Sequence, residues 1–210
     1  MSDGAPRPRV VASADRRSQV AVLEALEGGS VVAVPTDTVY GLAARVDRTE
    51  AIAAVFEAKA RPAELALPVL IGRWRQVREV AAEWPRNASM VAARFWPGPL
   101  TVVVRAIDGL GERLGSEGTV GVRCPDHRTV QGLCRRAGPL AVTSANRHGE
   151  PPCTSAAEVV EAFDASQVAL VLDGGRCDGE PSTVVDCTVD PPACLREGGV
   201  PWAWVEAALR

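Results

Sequence analysis

Long apolar runs are missing from this 210-residue chain. No stretch approaches the roughly 20 apolar residues that a membrane span requires. The opening segment Met1–Arg9 is polar and broken by Pro6 and Pro8, without the apolar centre of a secretion signal. Both absences point to a cytoplasmic protein that does not enter a membrane, with residues 1–9 flexible. Paired metal-ligand motifs are missing too. Cys124, Cys134, Cys153, Cys177, Cys187 and Cys194 never stand as C-x-x-C, and His127 and His148 sit in no H-E-x-x-H frame. No metal site is expected, and the thiols read as small, partly buried apolar groups. Neither a G-x-x-x-x-G-K-[ST] loop nor a G-x-G-x-x-G after a strand occurs, so any nucleotide has to be held another way. Excess positive charge is also lacking. A net charge of -3 and a pI near 5.5 exclude a protein whose whole surface coats nucleic acid, and leave room only for a local basic site.

Lysine is nearly absent. Of 23 Lys and Arg residues only Lys59 is lysine, and Tyr40 is the one tyrosine. A chain that writes its cations as arginine can retain a lysine where a compact ammonium is required and a planar guanidinium does not serve.

What is present fits an ordinary globular chain, with 47% hydrophobic and 23% charged residues. A chain of this length buries roughly 70% of the surface its unfolded form exposes, so its core can carry a deep cleft without disulfides or a structural metal. No internal repeat is visible, and helical and strand patterns alternate as in layered α/β packing. Gln19–Glu27 reads as a helix stopped by Gly28-Gly29, followed by a buried strand over Val31–Val34. Asp47-x-x-Glu50 reads as a capping box opening a helix that puts Ile52, Val55, Phe56 and Lys59 at helical spacing before Pro62. Strands are predicted at Val69–Ile71, Leu100–Val104, Val120–Arg123, Leu140–Thr143, Val168–Leu172 and Thr183–Cys187. Further helices are predicted over Asn87–Phe95, after an Asp126 cap, after the Ser155-x-x-Glu158 box, and around Val205 and Leu209.

Four polar segments stand at strand ends, where α/β proteins bind ligands. They are Pro35–Leu42 (PTDTVYGL), Lys59–Pro62 (KARP), Pro139–Asn146 (PLAVTSAN) and Pro181–Asp186 (PSTVVD). Each alone has a plain local explanation. Thr and Asp bond their own backbone in turns, cations offset a helix C-terminus, and Ser and Asn serve as caps.

Together and in this order they resemble the YrdC-like family, whose members carry P-T-[DE]-T-x-Y-G-L, K-x-R-P, F-W-P-G-P-[LV]-T, a [TS]-[VLI]-[AG]-[VI]-R strand, S-A-N and S-T-V-V-D. The counterparts are Pro35–Leu42, Lys59–Pro62, Phe95–Thr101, Thr119–Arg123, Ser144–Asn146 and Ser182–Asp186, and the resemblance runs from about Val31 to Val200. It implies one compact α/β domain over residues 1–210, with a twisted mixed parallel and antiparallel sheet flanked by helices around a positively charged concavity. The chain ends too early for the added C-terminal domain of some members.

The resemblance also implies an activity: synthesis of threonylcarbamoyl-adenylate and pyrophosphate from L-threonine, bicarbonate and ATP, for threonylcarbamoyladenosine modification of tRNA. Mg2+ would arrive with the nucleotide. A downstream threonylcarbamoyl transferase complex and an RNA contact are the implied partners. By position, Thr38, Arg123 and Ser182 correspond to threonine contacts, with Arg123 as a two-pronged clamp on the carboxylate. Lys59 and Arg61 correspond to the catalytic cations at the phosphates and carbamate. Thr119, Ser144, Asn146 and Arg196 belong with them on the nucleotide side.

The chain departs from the family pattern at Leu65, Ala66 and Leu67, at Leu70 in place of a frequent His, and at Pro152 in place of a frequent Ser. Two alternatives therefore stand beside the synthase. One is a paralogue acting on another carbamoyl adenylate or a modified RNA. The other is a non-enzymatic RNA-binding module using Arg123, Arg128, Arg135 and Arg136, although no aromatic residue stands beside those arginines in the sequence.

Overall fold

A computed structural model of the chain describes residues 6–60 and 66–210. Its strands are β1 (Arg9–Ala12), β2 (Val32–Val34), β3 (Gly41–Arg45), β4 (Val69–Leu70), β5 (Leu100–Arg105), β6 (Thr119–Arg123), β7 (Leu140–Ser144), β8 (Leu170–Asp173), β9 (Thr183–Asp186) and β10 (Ala193–Arg196). The helices are α1 (Arg16–Glu27), α2 (Thr49–Lys59), α3 (Arg86–Phe95), α4 (Leu110–Arg113), α5 (Arg128–Ala137), α6 (Ala156–Ala162) and α7 (Trp202–Ala208), with a 3-10 helix over Trp74–Glu79. No helix among the described residues is long and apolar enough to cross a membrane.

The strands make one mixed sheet in the order β1-β8-β2-β3-β7-β4-β6-β5-β9-β10. Alternation of side chains explains its layering. Val31 and Ala33 face one apolar cluster, together with Ile52 and Val55 of α2, Val91 of α3, Val159 of α6 and Val205 of α7. Val32 and Val34 face the opposite cluster, with Val22, Leu23 and Leu26 of α1 and Val130 and Leu133 of α5. Because β2 is covered on both faces, it reads as a continuous apolar run.

Farther along the sheet the second cover ends. Val102, Val104, Val120, Val122 and Val185 still point into the first cluster. Their neighbours Thr101, Val103, Thr119, Gly121, Arg123 and Val184 line an open cleft instead. The concavity is thus the sheet face that α1 and α5 do not reach.

Several local expectations are corrected. Asp47 does not cap α2: both its carboxylate oxygens are taken by Arg45, at 2.8 and 2.6 Å, and the helix begins after Arg48 without a side-chain cap. The cap of α5 is His127, not Asp126, with the backbone N of Val130 directed at His127 Nδ1. Ser155 does cap α6, accepting from the Glu158 N–H at 3.3 Å, while the Glu158 carboxylate accepts from the Thr154 N–H at 2.6 Å. Strands β1, β3 and β10 have no counterpart in the sequence reading. β3 is made of Gly, Leu, Ala, Ala and Arg, poor in β-branched side chains, and it is a strand because β2 and β7 pair with it on either side. β1 starts at Arg9, and Pro6 O already accepts from Ala165 N at 2.7 Å.

Candidate active site

The cleft encloses about 460 Å³ and is walled by the turn after β2, by β5, β6, β7 and β9, and by Pro181, Ser182, Leu195 and Arg196. The turn is built by Thr36. Its Oγ1 accepts from the N–H of Thr38 at 3.1 Å and of Val39 at 3.2 Å, an arrangement Thr favours at the end of a strand. This fold of the backbone presents Thr38 to the cleft. Tyr40, fully buried, donates its hydroxyl to Gly175 O at 2.8 Å and accepts from Gly174 N at 3.2 Å, tying the loop after β8 over the turn. Burial raises the Tyr40 pKa to about 12. The same loop presses so close that a Cβ on Gly179 would lie 2.2 Å from Asp37 O, which only glycine avoids.

Arg123, at the end of β6, is buried, and its guanidinium is fixed at three points. Nε donates to Gly98 O at 3.0 Å, Nη1 to Thr38 Oγ1 at 3.2 Å, and Nη2 to Asp37 Oδ1 at 2.6 Å. A guanidinium has five N–H groups, so one each on Nη1 and Nη2 remains for an incoming anion. Arg196, on β10, donates Nε and Nη2 to Ser182 O at 3.1 and 2.7 Å, and Nη2 also reaches Ser182 Oγ at 3.2 Å. Ser182 Oγ is in turn 2.9 Å from Thr101 Oγ1. Burial, and after it the like charge of Arg123, lower the pKa of Arg196. Two guanidinium groups close enough to repel are a site that an anion between them relieves.

Thr38, Arg123 and Ser182, expected as one group from the motifs, do stand together on the cleft wall, and Thr119, Ser144 and Arg196 line it too. Lys59 and Asn146 do not line it. The Lys59 side chain is 1% exposed, and its ammonium donates to Ser144 O at 2.6 Å, Asn146 O at 2.8 Å and Asn146 Oδ1 at 3.0 Å. Asn146 is equally committed, accepting from Ser144 Oγ at 2.6 Å and donating to Glu150 O at 2.7 Å and Arg147 O at 2.8 Å. A backbone bond from His148 N to Lys59 O, 2.8 Å, completes the join. In this geometry the lysine and the S-A-N segment form one unit, with Ser144 at the cleft wall and Lys59 and Asn146 behind it, locking the end of α2 to the loop after β7. Arg61 lies outside the described residues, as does Leu65. Ala66, Leu67, Leu70 and Pro152 form an apolar part of the cleft wall.

Sequence reasoning quoted Asp37 within its motif but gave it no role. Its Oδ1 anchors Arg123, and its Oδ2 is buried with no hydrogen-bond partner among the described residues. Thr101, bonded to Ser182, was likewise missed. For Asp37 the available signal was a carboxylate between two Thr in a polar segment at a strand end. For Thr101 it was the one polar residue within the apolar run Leu100–Val104.

A family model for Sua5, YciO and YrdC proteins, described as "Telomere recombination", matches residues 24–198. The chain belongs to this family. Two curated relatives bearing the name threonylcarbamoyl-AMP synthase are similar to it. The Pyrococcus abyssi protein is 41% identical over 184 residues, 86% of this chain and 54% of that one. The Bacillus subtilis protein is 39% identical over 189 residues, 88% of this chain and 54% of that one. The chain thus spans about half the length of these relatives. The crystal structure of P. abyssi Sua5 complexed with L-threonine superimposes with a TM-score of 0.87 at 37% identity, covering 95% of this chain and 60% of that one.

Proposed function

We propose that this protein is a threonylcarbamoyl-adenylate synthase, a nucleotidyltransferase that uses ATP, L-threonine and bicarbonate. The observation that carries the reading is the pair on one cleft wall of a buried Arg123 and an Arg196 that reaches in from the exposed edge strand β10, interleaved with the hydroxyls of Thr38, Ser182 and Thr101. The names of the similar P. abyssi and B. subtilis proteins, and the L-threonine in the P. abyssi complex, support it.

In this reading the threonine carboxylate takes the open N–H groups of Arg123, beside Thr38 and Ser182. The amine gives up a proton and forms a C–N bond either to CO2 or to the bicarbonate carbon, whose C–O bond then breaks with loss of water, producing a carbamate. A carbamate oxygen attacks the α-phosphorus of ATP, the bond to the β-phosphate oxygen breaks, and pyrophosphate leaves. Charge builds on phosphate and carboxylate oxygens throughout, so fixed cationic donors supply the stabilisation and no covalent nucleophile is needed. Arg196, with Thr119 and Ser144, faces the nucleotide, and Mg2+ enters bound to its phosphates as part of the substrate. Lys59 and Asn146 hold the nucleotide wall in place from behind, and Arg61 belongs to the phosphate end through its motif. The adenylate then serves a transferase that charges tRNA adenosine.

Pyrophosphate release from ATP is the test, measured with bicarbonate and each amino acid in turn. Release that depends on threonine alone is expected. Release independent of the amino acid, or none at all, overturns the proposal. The apolar wall of Ala66, Leu70 and Pro152 favours a second reading, a paralogue with another acyl group, and release with a different amine but not threonine would select it.

A further inference from the structure

Three of the chain's five tryptophans stand against one another away from the cleft. Trp74, on the 3-10 helix, meets Trp84 edge-on with ring centroids 5.4 Å apart and Trp96 with centroids 5.8 Å apart. Trp84 and Trp96 are 5.7 Å apart. Trp96 is locked by its Nε1, which donates to Leu100 O at 2.7 Å. The Trp84 Nε1 is buried and has no acceptor among the described residues. On this half-buried base Trp74 remains 47% exposed. An indole packed against two others has little side-chain freedom left to lose when something stacks on it, and aromatic pairs in this geometry hold their orientation.

The exposed charges nearby are mostly of one sign. Arg73 and Arg75 flank Trp74, Arg78 follows on the same helix, and Arg94 lies two residues before Trp96, against Glu79 and Glu83. Arg135 of α5 joins them, donating Nη1 to Gly72 O at 3.1 Å. A chain of net charge -3 therefore carries exposed Arg73, Arg75 and Arg78 on or beside the short helix that bears this exposed ring. The Arg135 bond fixes that guanidinium at Gly72, two residues before Trp74 in the chain.

We propose that this surface binds single-stranded nucleic acid, with an unpaired base stacked on Trp74 and the adjoining phosphates on Arg73, Arg75 and Arg135. Stacking on an exposed ring requires a base with a free face, which a duplex does not offer, and the arginines match a polyanion rather than an apolar protein face. The surface is separate from the cleft, so the inference does not rest on the synthase reading.

The experiment uses the whole chain and fluorescently labelled oligoadenylates of about 12 nucleotides, long enough for one such site. Ribo- and deoxyribo-oligonucleotides are followed by anisotropy at low and high salt, and their relative affinities identify RNA or DNA as the source. Saturable binding that falls with salt is expected. Trp74→Ala should weaken it about 10-fold and Trp74→Phe much less, while Arg75→Gln should lower the salt slope by about 1. Pyrophosphate release and circular dichroism should be unchanged in all three variants. The proposal falls if the wild type shows no saturable binding, if Trp74→Ala and Arg75→Gln bind like the wild type, if a duplex of equal length binds as well, or if polyglutamate displaces the oligonucleotide equally well.

Discussion

Arg123 Nη2 lies 2.6 Å from Asp37 Oδ1, a carboxylate and a guanidinium with side chains only 13% and 8% exposed. The pair joins the turn after β2 to the end of β6 across the cleft wall. Burying it incurs desolvation, offset by Coulomb attraction and by the bonds from Arg123 to Gly98 O and Thr38 Oγ1.

Asp37→Asn should therefore cost about 3 kcal/mol, because removing one charge leaves the other buried without its partner. Loosening Arg123 should also raise the KM for threonine more than it lowers kcat. Urea unfolding and threonine titration of pyrophosphate release check both, and unchanged values in each would remove Asp37 as the anchor.

Arg123→Lys keeps the charge but loses the fork. An ammonium on a shorter reach cannot meet Gly98 O, Thr38 Oγ1 and Asp37 together and still hold a carboxylate. Threonine affinity, read by calorimetry, should fall by about 1.5 to 3 kcal/mol, the range for hydrogen bonds to charged groups. ATP binding should change little.

Lys59 gives the sharpest contrast. If it merely offset the dipole of α2, Lys59→Ala would cost about 0.3 to 1 kcal/mol. Its ammonium instead serves Ser144 O, Asn146 O and Asn146 Oδ1, and stranding such buried acceptors costs about 1 to 3 kcal/mol each. A loss of about 3 kcal/mol or more is expected on thermal or urea unfolding. Lys59→Arg should also be destabilised and lose most pyrophosphate release, because a planar fork does not fit a pocket of converging oxygens.

Alkaline pH should unfold the protein earlier than carboxylate pairing alone would suggest. Burial raises Cys124 and Cys153 from 9.0 to about 11, Cys187 from 9.0 to about 12 and Tyr40 from 10.0 to about 12. Between these limits the unfolded chain releases protons that the folded chain retains, so stability falls as pH rises. It should be intact below about pH 9 and decline progressively from 9 towards 12. Unfolding midpoints across that range check this, and a flat profile above pH 9 would contradict it.

Part of the fold was legible because its signals are local. The runs at β2, β5 and β8 are apolar because both faces or one face of each strand is covered, and the glycines after α1 mark its end. Capping was less legible. Asp47 and Asp126 have the chemistry of caps, but Arg45 claims the first and the chain turns into α5 one residue beyond the second. β10 was invisible because an exposed edge strand has no apolar pattern, yet it carries Arg196 to Ser182.

The sequence by itself determined the residue types, their order, and through six ordered motifs the family, since short motifs record backbone turns and side-chain chemistry that operate over a few residues. It also singled out Lys59. Only the tertiary structure decided that Lys59 faces Asn146 and Ser144 behind the cleft rather than open space within it, that Asp37 holds Arg123, and that Arg135 of a distant helix bonds the backbone of Gly72, two residues before Trp74. Those outcomes depend on contacts between residues as many as 87 positions apart, and such contacts follow from how the strands pair across the sheet, an order that local patterns do not encode.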